Sequence, residues 1–176
     1  GAAARGFDAA GQRLGGGVRR LVREGDRCAV GGEPLHDGRA DAVATARRLG
    51  ALAESVVIAV TALAERELTE QHGRLPGEGS GFAVLGYGSL GGEELGFASD
   101  LDLVFVYDTR RAHVMSDGAR PIEGSRWYQR LAQRVMNWLT VLTRAGRLYE
   151  VDTRLRPDGS KGLLVSSLEA FAEYQR

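Results

Sequence analysis

The chain has 176 residues, 43% hydrophobic and 26% charged, which suits one globular domain, or one domain with an attached helical piece, and is long enough to bury a real core. Its 23 basic and 23 acidic residues cancel, so bulk charge gives no sign of a nucleic-acid partner or an anionic membrane surface. Cys28 is the only cysteine, which excludes a disulfide framework and a zinc-type cluster, and no apolar run approaches the length of a membrane span.

No signal peptide precedes the domain, so a cytoplasmic protein is expected. The chain begins without methionine and stops at Arg176 inside a predicted helix, and so reads as a piece of a longer polypeptide. The basic residues are almost all arginine, with Lys161 the only lysine. Arginine favours bidentate contacts to carboxylate and phosphate, although a GC-rich genome produces the same bias. His36, His72 and His113 are far apart, show no ligand spacing, and are expected on the surface or in loops.

Residues 1–38 form a glycine-rich lead-in with little pattern, in which Val18–Arg23 suits a short basic strand or helix. A helical segment over 39–76 follows. Leu49, Leu52, Val56, Ala59, Val60, Leu63 and Leu68 recur at steps of three and four, predicting a helix from Asp41 to His72 with that stripe against a core. Gly50 suggests a bend, and Gly73 with Pro76 a stop. The remainder, 77–176, carries the chemistry.

Its first stretch reads FAVLG, then GYGSLGGEELGFAS, then DLDLVFVY. This is an apolar strand, a glycine-rich turn and an alternating strand. Side chains alternate faces along a strand, so Asp100, Asp102, Val104 and Val106 share one face, and Leu101, Leu103, Phe105 and Tyr107 the other. Same-face positions two apart lie roughly 6.5–7 Å from each other along a strand. Carboxylates at that spacing can converge on a pair of divalent cations, and without a counter-charge they repel. Oxygen ligands suit Mg²⁺ or Mn²⁺ rather than zinc. A bare Asp-x-Asp also describes a strand end with solvated acids, and it is the strand–glycine turn–strand context that favours the metal reading.

A polar loop follows through Arg110, Arg111, Asp117 and Gly118. Ser125 is placed to cap a second helix running to Arg144, with Tyr128, Leu131, Val135, Trp138 and Leu142 as its core stripe. Arg147–Leu155 alternates again, with Glu150, Asp152 and Arg154 on one face. RPDGSKG makes a turn, LLVS a short apolar run, and Ser167 caps a last helix.

Two-metal chemistry requires a third acid on a separate strand. Asp152 is preferred over Glu150 because Arg154 and Arg156 follow it, ready for phosphate oxygens or for ion pairs with Asp100, Asp102 or Glu94. Backbone amides at Gly88 and Ser89, followed by a helical turn, suit an anion cradle, and glycine lets the backbone approach phosphate closely. Gly91 and Gly92 serve either the same ligand or merely the turn. No Walker A pattern and no Rossmann fingerprint is present.

A glycine–serine pair, ten residues, Asp-x-Asp on a strand and a third acid on a later strand resemble the DNA polymerase β-like nucleotidyltransferase superfamily. The blocks LGGEEL to SDLDLVF and VDTRLRPDG resemble more closely the glutamine synthetase adenylyltransferase/adenylyl-removing family, from Phe82 to the C-terminus almost continuously. The resemblance implies an α+β fold: a mixed nucleotidyltransferase sheet with flanking helices, preceded by a helical segment. It also implies transfer of AMP from ATP to a tyrosine of glutamine synthetase, regulating nitrogen assimilation, with Mg²⁺ or Mn²⁺. The metal-binding and catalytic residues would be Asp100, Asp102 and Asp152. The nucleotide-binding residues would be Gly88, Ser89, Gly91, Gly92, Arg154 and Arg156. GYG, ELGFASDLDL and LYEVDTRLRP look more like the attaching half than the removing half. A PII-type signal protein would act through regions outside this segment. The family carries lysine where this chain has Ser89, so one cation near the phosphates is missing here. The alternatives are the phosphorolytic direction and a nucleotide-sensing domain without catalysis.

Overall fold

The computed structural model describes residues 19–20, 42–157 and 159–176. Cys28, His36 and all of the lead-in except Arg19–Arg20 lie outside the described residues. In chain order the elements are β1 (Arg19–Arg20), α1 (Ala42–His72), β2 (Phe82–Gly86), α2 (Gly88–Gly91), β3 (Leu101–Tyr107), α3 (Gly124–Thr140), β4 (Val151–Asp152), β5 (Val165–Ser167) and α4 (Leu168–Tyr174).

The sheet is mixed and centred on β3. Antiparallel β2 lies on one edge of β3, with β1 antiparallel beyond it. Two parallel strands pair with β3, β4 against its start and β5 against its end. This division explains why β4 is shorter than the predicted Arg147–Leu155 strand. Pairing begins where β3 begins, at Leu101, and β5 takes β3 again from Phe105.

Both faces of β3 are covered. Leu101, Leu103 and Phe105 join the main core with α1 and α3, as the alternation predicts. Val104 and Val106 face the other way, into a smaller cluster with Ala83, Leu85 and Phe171 of α4. Ser167 caps α4 as expected, its hydroxyl accepting the Ala170 N–H. Phe82, Phe105, Tyr107 and Tyr128 form a run of stacked rings. The Tyr128 hydroxyl satisfies itself on the Ser80 carbonyl at 2.9 Å.

The predicted helical stripes are corrected by a fraction of a turn. In α1 the buried residues are Gly50, Ala53, Val57, Val60, Thr61, Ala64 and Leu68, while Leu52, Ala59 and Leu63 are exposed. Alanines on the packed side let two helices approach closely. A stripe chosen by side-chain size is therefore right at Leu49, Val56, Val60 and Leu68, which pack on the core, and wrong at its edge. In α3 Trp127, Tyr128, Leu131, Ala132, Val135 and Leu139 are buried, while Trp138 and Leu142 are exposed. Gly50 does not break α1, which runs through it.

The start of α3 is also corrected. Its cap position is Glu123, not Ser125, and no side chain caps it. The carbonyls of Val114 and Ala112 accept the Gly124 and Ser125 amides, at 2.9 and 2.8 Å. Backbone thus meets the demand that a capping hydroxyl would otherwise serve. The helix ends at Thr140 rather than Arg144, and the Leu139 carbonyl accepts the Tyr149 N–H at 3.0 Å.

Gly73 stops α1 as predicted, at φ +80°. The helix end docks against the loop between β3 and α3: the Ser116 hydroxyl donates to the His72 carbonyl at 2.6 Å and the Gly118 amide donates to it at 3.1 Å. His72 is therefore no idle surface residue. Arg130 Nη1 lies 2.6 Å from His72 Nε2. A guanidinium can only donate, so Nε2 accepts and Nδ1–H donates to the Arg120 carbonyl at 2.8 Å. Arg111, expected on the surface, is buried and donates to the carbonyls of Glu78 and Gly79. Among the described residues no helix is long and apolar enough to cross a membrane.

Two glycines test this packing. A Cβ on Gly118 would stand 2.3 Å from the His72 carbonyl carbon and 2.4 Å from the Gly73 nitrogen, both backbone atoms. One on Gly50 would meet nothing within 4 Å. Gly118→Ala is expected to cost about 1–3 kcal/mol by overpacking, and Gly50→Ala to gain about 0.5–1 kcal/mol by removing a helix-interior glycine. Urea unfolding midpoints check both; equal midpoints for the two variants would contradict the packing described.

Candidate nucleotidyl-transfer site

The site begins where β2 ends. Tyr87 continues the strand, its amide donating to the Asp102 carbonyl at 2.9 Å. Gly88 then turns into the left-handed region at φ +53°. A Cβ there would lie 2.1 Å from Asp102 Oδ2. The backbone conformation favours glycine, and a side chain there would also push the Asp102 carboxylate aside. The four-residue turn α2 follows. The Gly91 and Gly92 amides donate to the carbonyls of Tyr87 and Gly88, at 3.0 and 2.9 Å, and so are engaged in shaping the turn. The amides of Gly88, Ser89 and Leu90 are those for which a first helical turn offers no internal acceptor.

The chain returns through a turn at Gly96–Ser99, closed by the Gly96 amide on Ser99 Oγ at 3.0 Å and the Ser99 amide on the Gly96 carbonyl at 3.2 Å. Asp100 stands exposed just before β3, and Asp102 is half-buried within it. The parallel strand β4 sets Val151 opposite Leu101 and Asp152 opposite Asp102. The Leu101 amide donates to the Glu150 carbonyl at 2.9 Å, which fixes that register. In-register residues on adjacent strands share a face roughly 4.7–4.9 Å apart. Asp152 is thus the acid brought beside Asp102. The Glu150 carboxylate is exposed and paired with Arg147 at 3.0 Å.

Residues 35–176 match the family described as Glutamate-ammonia ligase adenylyltransferase. This chain belongs to that family. A bifunctional glutamine synthetase adenylyltransferase/adenylyl-removing enzyme of Stenotrophomonas maltophilia is 58% identical over 140 residues, 80% of this chain and 15% of its own. The proteins of the same name from Xanthomonas campestris and Idiomarina loihiensis are 58% identical over 80% and 53% identical over 73% of this chain. The chain thus spans about 15% of the length of the curated relatives it matches.

The adenylyltransferase-family chain holds its acids in electrostatic tension. Burial first, then the neighbouring Asp152 and Asp100, push the Asp102 carboxyl above the usual carboxylate range, with partial relief from Arg154. Asp152 is held below that range, chiefly by hydrogen bonds from Arg154. The Arg154 amide lies 2.8 Å from Oδ1, and Nε lies 3.0 and 2.8 Å from Oδ1 and Oδ2. Of the ion-pair partners weighed from sequence for Arg154, Asp100, Asp102 and Glu94, none is the one it grips. Arg156 is buried, and its guanidinium donates to the Leu163 carbonyl at 3.0 Å and to Thr153 Oγ1 at 2.7 Å, holding the loop.

Among the described residues no three acidic, histidine or cysteine side chains are gathered into a ready cage for a metal ion. The donor set nevertheless suits a hard cation. It is carboxylate oxygen, the burial and like charge at Asp102 are only partly relieved by Arg154, and the missing Cβ of Gly88 leaves that carboxylate approachable. Sequence reasoning found the acids but missed two contacts: Gly88 against Asp102, and Arg154 on Asp152. The glycine after a strand and the Asp-x-Arg spacing were the available signals.

The two acids predict opposite pH behaviour. A carboxyl held above its ordinary value keeps its proton better folded than unfolded. The cost at Asp102 is therefore absent in acid and grows as pH rises through the ordinary range and up to the raised value. The contribution of Asp152 is present above the ordinary value and lost as pH falls through its lowered one. In cation-free buffer at neutral pH, Asp102→Asn is expected to raise Tm and Asp152→Asn to lower it. Both differences should shrink toward about pH 3, where carboxylates protonate. Thermal melts across that range decide; an Asp102→Asn melt below wild type at neutral pH would refute the tension.

Proposed function

We propose that this chain is a nucleotidyl-transfer unit that moves AMP from ATP to a tyrosine hydroxyl of glutamine synthetase and releases pyrophosphate. The observation that carries the reading is the pairing of Asp102 with Asp152 beside Gly88. It places acids from two strands next to a backbone turn suited to phosphate. The relatives' names supply the acceptor, and the matched family's description as an adenylyltransferase favours the attaching direction.

Asp100, Asp102 and Asp152 would hold Mg²⁺ or Mn²⁺. When bound, such ions neutralise the charge that develops on the attacking and leaving oxygens of an in-line displacement. The first-turn amides of α2 and the Ser89 hydroxyl donate to phosphate oxygens of ATP. The tyrosyl oxygen forms a bond to the α-phosphorus, and the bond to the β-phosphate bridging oxygen breaks. Pyrophosphate leaves with that electron pair, and the tyrosine proton passes to Asp152. Gly91 and Gly92 set the turn's shape, Arg154 meets the phosphates, and Arg156 fixes the loop that carries Arg154. A PII-type signal protein would act through surfaces outside these residues, and the reaction belongs in the cytoplasm.

The test is transfer of labelled AMP from ATP to purified glutamine synthetase. Asp102→Asn is expected to lower transfer by on the order of 10²–10⁴-fold, the loss of several kcal/mol of barrier reduction. Equal labelling by wild type and variant would sink the catalytic reading. Ser89→Lys places a cation beside the turn and should tighten ATP binding, measured by calorimetry. Weaker binding would place the phosphates elsewhere.

A further inference from the structure

Arg154 commits its backbone amide, Nε and Nη2 to one neighbouring carboxylate, that of Asp152, and reaches both of its oxygens. As a device for stability this is a poor investment of donors. The pair is local, two residues apart, and joins no separate elements. The arginine side chain is 78% exposed, and exposed pairs contribute little. Its position is more telling than its strength. It sits on the one acid that lies in register with Asp102. Three carboxylates against one guanidinium leave the face negative, so the arginine only partly does what a divalent ion would do there.

The surroundings leave Arg154 free to move and its backbone fixed. Arg156 is buried and tied to Thr153 Oγ1 and the Leu163 carbonyl, holding the segment on either side. Beyond its contacts with Asp152, the Arg154 side chain faces solvent.

We propose that Arg154 couples divalent-cation binding to triphosphate binding: it occupies Asp152 when no cation is bound, and yields that carboxylate to the cation while its guanidinium takes up phosphate oxygens of the nucleotide. This rests on the nucleotidyl-transfer reading of the site. A cation arriving alone must displace Arg154 into water, where it gains nothing. A cation arriving with ATP displaces it onto phosphate, which a guanidinium grips with two parallel bonds. Each ligand therefore strengthens the other by one shared factor, because such coupling is reciprocal.

The experiment measures Mn²⁺ binding alone by the electron paramagnetic resonance of free Mn²⁺, and ATP binding with and without Mn²⁺ by calorimetry. Wild type and Arg154→Gln are compared, with Arg154→Lys as the conservative variant. In wild type the coupling factor is expected on the order of tenfold or more. In Arg154→Gln, Mn²⁺ alone should bind several-fold tighter and the coupling factor should fall toward one. Arg154→Lys, which keeps charge without the fork, should lie between. Without cation, Arg154→Gln should lower Tm no more than Asp152→Asn does, since both break the same pair; a larger fall would mark a structural role. If wild type binds ATP with Mn²⁺ and Arg154→Gln leaves both the Mn²⁺ affinity and the coupling factor unchanged, the coupling is overturned and the site reading stands. If wild type binds no ATP even with Mn²⁺, the site reading falls and the coupling falls with it.

Discussion

The short parallel pairing of Leu101–Asp102 with Val151–Asp152 is the constraint on which the site depends. It spans only two rungs, yet it decides which acid stands beside Asp102. A slip of one residue would bring Val151 or Thr153 to that position and turn Asp152 to the opposite face. The pairing is held by the Glu150 carbonyl accepting the Leu101 amide and, through Tyr149, by the end of α3. Helix, strand start and carboxylate are therefore set by one another. The core supports this from below, since Leu101 is fully buried against the same cluster that receives Val151.

The other half of the site depends on an absence of side chain. Gly88 lies against the Asp102 carboxylate, so the turn after β2 and that acid form one surface. Where the backbone passes this close to a charged group, any larger residue must push the carboxylate aside. That the same residue also needs a positive φ makes the position doubly exclusive.

Much of this was legible in the sequence because the strands announce themselves by period. The alternation of LDLVFVY assigned its two faces correctly, and Asp152 was preferred over Glu150 before any register was known. The helices were less legible. Leu52, Leu63, Trp138 and Leu142 fit a helical stripe by size and lie outside it, because small residues such as Ala53, Ala64 and Ala132 mark the packed faces. Burial on a helix follows how closely its neighbour approaches, and a one-dimensional pattern weights the largest side chains instead. The polar contacts were least legible. The burial of Arg111 and the bridging of His72 both serve loop carbonyls far away in sequence. The cap of α3 likewise went unread, because backbone rather than a hydroxyl supplies it.

The path of the chain also sets an order of assembly. β2 and β3 are joined by a short connection and pair antiparallel, so Gly88 and Asp102 meet through a local loop. β3 and β4 are parallel, and Leu101 must find Val151 across a crossover that contains all of α3. Closing that longer loop costs more chain entropy and waits for the helix to dock, so the third carboxylate joins last. In that order the turn at Gly88 stands beside Asp102 before Asp152 arrives. Local opening of the two-rung β4 ladder reverses only that last step. Asp152 can thus part from Asp102 and return while the rest of the sheet stays folded.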